Sequence, residues 1–208
     1  MFWVVLFYVG FLSFARAEIN DVDLSTVVVT QLGSLKVGEV LPSFNGQMST
    51  GGRLSSRSVI GAGGVVVVSY AATWCQPCRE GLPIIERVVH SDDTVQAVYV
   101  MLDTEIVKVR NWALDIGVQS PILVDKFNAI AKRHGVVGDD NGQPREIPIT
   151  IVIDGQGVVS HIFTTEGSDF EVKLREAIDS VQTLVVPQEP RPELDQPDRS
   201  SDEQGEKQ

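Results

Sequence analysis

The chain has 208 residues, 43% apolar and 22% charged, enough for one globular domain with appended ends. Its 17 basic and 28 acidic side chains give a formal net charge of -11, which argues against binding a phosphate backbone, since that requires a basic face that releases counterions. With only two cysteines, Cys75 and Cys78, a multi-disulfide scaffold and an all-cysteine zinc site are both excluded.

Residues 1–14 are almost wholly apolar, about the length of a signal-peptide core and short of the ~20 residues a spanning helix needs. Ala15-Arg16-Ala17 follows, with small residues at the positions a signal peptidase reads. Residues 1–17 are therefore predicted to be a signal peptide cleaved before Glu18, leaving no stable membrane span in an exported, periplasmic chain. No basic residue precedes the apolar core, so an uncleaved anchor stays as the alternative. Residues 18–35 read as an N-terminal extension and 36–186 as the folded domain.

Within that domain, short β-branched runs alternate with helical periods, the pattern of strands and helices packed in layers. Residues 65–70, 95–101, 149–153 and 158–163 are predicted strands, the last two joined as a hairpin by Asp154-Gly155-Gln156-Gly157. A helix carrying the cysteines follows the first strand. A helix over 104–116 aligns Ile106, Val109, Ala113 and Ile116 and stops at Gly117; a shorter one over 127–134 stops at Gly135. The last helix carries a capping-box pattern, Ser168 with Glu171, and an apolar face of Phe170, Leu174, Ala177, Ile178 and Val181. The expected fold class is α/β, an αβα sandwich around a small mixed β-sheet. Residues 187–208, with four prolines and seven acids against three bases, lack the apolar surface to offset ordering and are predicted to be a disordered acidic tail.

The cysteines occur as Trp74-Cys75-Gln76-Pro77-Cys78 just after the 65–70 strand. Pro77 suits the first turn of a helix, where its missing N–H has no partner to lose. Cys75 then sits at a helix N-terminus, where free N–H groups stabilise a thiolate, and is the predicted nucleophile. Cys78, one turn on, is the predicted resolving thiol. A structural disulfide is disfavoured, because so short a loop gains little chain entropy. A peroxidatic cysteine is disfavoured by the closeness of Cys78. Copper carriage by the two thiolates with His90, His134 or His161 remains as a binding-module alternative, a redox-regulated or copper-carrying domain without turnover.

Four segments carry a resemblance spanning residues 37–181: Val37-Gly38-Glu39-Val40-Leu41-Pro42-Ser43-Phe44; the Trp74 to Cys78 motif followed by Leu82-Pro83; Ile122-Leu123-Val124-Asp125; and Ile147-Pro148-Ile149-Thr150 leading to Ile153-Asp154-Gly155. On these the chain resembles the TlpA-like (ResA-like) thiol:disulfide oxidoreductases of the thioredoxin superfamily. The resemblance implies a thioredoxin-like fold and a cis Pro148 beside the cysteines, with Trp74, Ile147 and Pro148 forming the substrate-binding rim. It also implies a monomer that exchanges disulfides with client proteins, in the reducing direction, fed by a membrane thiol donor, with apocytochrome c among the clients. Thiol exchange needs neither organic cofactor nor metal.

Two positions depart from the pattern. Many TlpA-like members carry Glu three residues after the second cysteine, where this chain has Gly81, and thioredoxin carries a buried Asp six residues before the first, where it has Ser69. The proton route to the second thiol is thereby left open, with Glu80 or water as the candidate relay. Gly81 and Pro83 also predict a kink near Leu82, and the long 136–146 loop is placed beside the active site, where it could influence partner choice.

Overall fold

The structure, a computed structural model, describes residues 25–62, 64–138 and 146–184. The predicted signal segment, residues 18–24 of the predicted extension, most of the 136–146 loop and the predicted acidic tail lie outside the described residues. The elements run β1 (Val28–Val29), β2 (Gln31–Leu32), β3 (Leu35–Lys36), β4 (Asn45–Met48), β5 (Arg53–Ser55), α1 (Ser56–Ile60), β6 (Val65–Ala71), α2 (Gln76–Val89), β7 (Val95–Met101), α3 (Ile106–Asp115), β8 (Ile122–Val124), α4 (Ala129–Arg133), β9 (Ile149–Ile153), β10 (Val159–Phe163) and α5 (Phe170–Leu184).

Strand β6 is the axis of the sheet. Its run of four valines followed by Ser69, Tyr70 and Ala71 is buried at every position, as a strand covered on both faces must be. It pairs in parallel with β7, which pairs in parallel with β8; on its other side it pairs antiparallel with β9, and β9 with β10. The whole is an eight-stranded mixed sheet ordered β1-β10-β9-β6-β7-β8-β4-β5, with β2 and β3 forming a separate ribbon. The sheet is thus wider than the small one the β-branched runs predict. Its extra strands are short or polar; β4, for example, reads Asn-Gly-Gln-Met, and is held by pairing with β8 rather than by propensity.

Alternate residues of β6 feed two cores. Val65, Val67 and Ala71 pack with α2, α3 and α5 through Leu82, Ile85, Val109, Leu174 and Ile178. Val66, Val68 and Tyr70 pack on the opposite face with Leu41, Phe44, Ile130 and Val136. Successive parallel crossovers of one hand put α2 and α3 on the same face. Helix α2 is a single span with Pro83 inside it. Glu171 does not complete a capping box with Ser168; its carboxylate is taken by Arg87 and Arg175, at 2.8 and 2.9 Å.

Candidate active site

The cysteine motif occupies the carboxyl end of the parallel strands, the usual place for a site in an open α/β sheet. Ala71 and Met101 are paired in parallel register, so the loops leaving β6 and β7 run side by side. Asp103, in the second loop, pins the first: Thr73 donates its backbone N–H to Oδ2 at 2.9 Å and its hydroxyl to Oδ1 at 2.6 Å. Cys75 then caps α2, its sulfur accepting the Cys78 N–H at 3.2 Å, with Pro77 in the first turn. The helix end lends roughly half a positive charge to that sulfur. Cys75 and Cys78 are joined in a disulfide. The two sulfurs are not equivalent, since Cys75 keeps 6% exposure and Cys78 none.

The other predicted residues fall around Cys75 as follows. The Ile147-Pro148 bond is cis, and the Ile147 carbonyl oxygen lies 3.6 Å from the Cys75 sulfur. Pro148 is buried and Ile147 half-buried, whereas Trp74 is 60% exposed, an apolar surface beside the disulfide. Glu80 is not brought to the second thiol. It lies on the exposed side of α2, accepting a bond from Gln76 at 3.0 Å, and residues two apart on a helix do not share a face.

A row of polar side chains crosses the sheet beneath α2. Thr150, Ser69 and Tyr99 are neighbours in register on β9, β6 and β7. The Tyr99 hydroxyl donates to Glu86 at 2.7 Å, and Glu86 also accepts the Gln119 N–H at 2.9 Å. The Thr150 hydroxyl bonds to Ser69 at 2.8 Å and to Oε1 of Glu166 at 2.7 Å. Glu166 comes from the loop between β10 and α5. The residue is half-buried, but its carboxyl reaches inward, and Oε2 is sealed from solvent with no hydrogen-bond partner. Burial pushes this carboxyl up to about 7, against the smaller opposing effect of the Thr150 bond.

Neither Asp103 nor Glu166 is visible as a site residue in the sequence. Each acts across a long sequence separation, and neither lies in a local motif.

The histidines have partners elsewhere. His134 lies on the opposite sheet face. Its Nε2 donates to the Pro42 carbonyl at 2.7 Å and its Nδ1 accepts from the Tyr70 hydroxyl, which fixes a neutral tautomer. Burial lowers its pKa to about 4. His90 Nδ1 sits 2.7 Å from the Glu86 carbonyl, and His161 stacks on Phe163. Among the described residues no group of three His, Cys, Asp or Glu side chains is arranged to hold a metal, and no helix is long and apolar enough to cross a membrane.

Comparison with known proteins identifies the family. Residues 37–162 match the AhpC/TSA family. The thioredoxin-like protein YneN of Bacillus subtilis is 28% identical over 146 residues, 67% of this chain and 79% of its own length. The thiol-disulfide oxidoreductase ResA of Bacillus thuringiensis is 23% identical over 132 residues, covering 62% and 70% of the two chains. Among solved structures, a thioredoxin-family thiol:disulfide interchange protein of Chlorobium tepidum superposes with a TM-score of 0.57 at 24% identity, over 69% of this chain and 96% of that one. That likeness bears on the fold.

Proposed function

Since the chain belongs to the AhpC/TSA family, within the thioredoxin fold, we propose that it is a thiol:disulfide oxidoreductase that exchanges disulfides with client proteins through Cys75 and Cys78. The observation that carries this reading is the asymmetry of the pair: a helix-capping Cys75 that keeps a small exposed fraction, linked to a fully buried Cys78 one turn along the same helix. In the reducing direction the Cys75 thiolate attacks a client disulfide, one client thiolate leaves, and a mixed disulfide forms. Cys78 then displaces the client sulfur and closes the Cys75–Cys78 bond, so that the client gains two electrons and the pair loses them. Trp74 and Ile147 supply the apolar contact. The backbone at Ile147, leading into β9, pairs in this reading with an extended client segment by strand addition.

The finer reading keeps the expectations of the sequence. The protein works outside the cytoplasm as a monomer, exported on residues 1–17, and reduces clients with electrons from a membrane thiol donor, apocytochrome c being a plausible client class. The kinship of YneN and ResA supports the exchange chemistry. The test is a Cys78→Ser full chain expressed with its own leader. Clients that form mixed disulfides should accumulate covalently on Cys75 and be released by dithiothreitol. A variant that captures nothing under oxidising conditions, while the reduced wild type fails to cleave a protein disulfide, would refute exchange.

A further inference from the structure

Cys78 has a chemical problem that its surroundings must solve. It is wholly buried, and burial disfavours the thiolate it must become in order to resolve a mixed disulfide. The helix N-terminus favours the Cys75 sulfur instead. A base is needed on the inner side of α2, and Glu80 is on the outer side.

Gly81 is one turn beyond Cys78 on the same buried side of the helix. A Cβ at position 81 would overlap Oε2 of Glu166. The carboxyl of Glu166 therefore occupies the space a side chain at 81 would fill, and its Oε2 is the buried oxygen left without a hydrogen bond. The other oxygen is tied through Thr150 to Ser69. Positions 81 and 69, noted above as departures from the resembled pattern, thus converge on one carboxyl delivered from a different part of the chain. A buried polar atom with no partner is costly and calls for an explanation.

We propose that Glu166 is the acid–base group of the resolving thiol: its carboxylate takes the proton of Cys78 as the Cys75–Cys78 bond forms, and returns it when that bond is reduced. In the forward step the Cys78 S–H bond breaks, Glu166 gains the proton, the new S–S bond forms and the Cys75 bond to the client sulfur breaks. The client leaves as a thiolate and no other reactant is needed. The Thr150 and Ser69 hydroxyls let the chain reverse polarity, Ser69 donating to Thr150 and Thr150 to Glu166 when the carboxyl is ionised, and the order inverting when it is protonated.

The ionisable neighbours leave burial in control. Tyr99 on β7 is itself neutral and bonded to Glu86 of α2. At the start of α5, Asp169 is taken by Lys173 and Thr26, and Glu171 by Arg87 and Arg175. With an ionisation near neutrality, Glu166 can both accept and give a proton at working pH.

This inference rests on the exchange reading, and one experiment separates their failures. Reduced full-length protein is mixed with the aromatic disulfide dithiobis-nitrobenzoate in a stopped-flow instrument across pH. Attack by Cys75 releases the first aromatic thiolate, and resolution by Cys78 releases the second. In Glu166→Gln the second phase should slow about tenfold or more above neutrality and lose its inflection near 7, while the first phase is little changed. A second phase with the wild-type pH profile would overturn the proposal. Should Glu166→Gln fail to fold, Gly81→Glu combined with Glu166→Ala carries the test: a restored inflection supports the proposal, and a second phase that never depended on either carboxyl refutes it. Absence of any first phase in the wild type would refute exchange itself, and this inference with it.

Discussion

The two faces of the central sheet both bury polar groups, and they treat them differently. On the face away from the cysteines, His134 has both ring nitrogens bonded, and buried Asp125 accepts the N–H groups of Ala129 and Ala131 at 2.8 Å each. Every one of those atoms is satisfied, which is the mark of a structural network. On the face beneath α2, Glu86 is equally well served by Tyr99 and Gln119, but Glu166 keeps an oxygen with no partner, aimed at the helix that carries the disulfide. Burial alone does not separate scaffold from chemistry. The unmade hydrogen bond does.

The largest expected effect breaks the structural side. His134→Ala removes a ring that holds Tyr70 and Pro42 and leaves a cavity, and should cost about 3 kcal/mol in urea unfolding with little change in exchange rate per folded molecule.

Next comes a pH signature of opposite sign on the two faces. The Glu166 carboxyl ionises near 4.5 when unfolded and near 7 when folded. Between those values the unfolded chain has released its proton and the folded chain has not, so stability falls as pH rises, by roughly 3 kcal/mol in all. Urea unfolding at several pH values should show that fall in the wild type and not in Glu166→Gln. His134 does the reverse. Its pKa drops from 6.5 to about 4 on folding, so the unfolded chain alone takes up a proton in that window and stability falls as pH decreases. A His134→Gln variant should lose this acid-side slope.

Smaller effects sharpen the contrast. Asp125→Ala frees the Ala129 and Ala131 N–H groups at the start of α4 and should cost about 1 to 2 kcal/mol in urea unfolding. Gly81→Ala should change stability near neutral pH by less than about 1 kcal/mol, since better helix propensity offsets the lost Thr150 bond. It should nonetheless push the Glu166 carboxyl out to solvent and erase its pH-dependent stability loss. A retained slope in Gly81→Ala would mean that the carboxyl does not occupy the space beside position 81.

Much of this architecture was legible in the residues themselves. Strands β6, β7 and β9 announce themselves as β-branched runs, and the Cys75–Cys78 spacing with Pro77 places a redox pair at a helix start, because those signals are local. The β4–β5 hairpin is not legible, for its Asn, Gly, Gln and Arg have little strand preference and are held by tertiary pairing. Glu80 shows the limit most clearly. It is the acid next to the motif in sequence, yet helix geometry turns it outward, while Glu166, 88 positions after Cys78, is brought in by the loop leaving β10. Sequence proximity finds an acid near the motif; only the fold shows which acid packs against the inner side of α2, at position 81.

The most direct test of the central claim is competitive alkylation of the reduced full-length chain at neutral pH, with the modified cysteine located by mass spectrometry. The account predicts that Cys75 reacts about tenfold faster than free cysteine, as a helix-capping thiolate should, while Cys78 stays protected in the fold. Reaction of Cys75 no faster than the free amino acid, or of Cys78 ahead of Cys75, would contradict it.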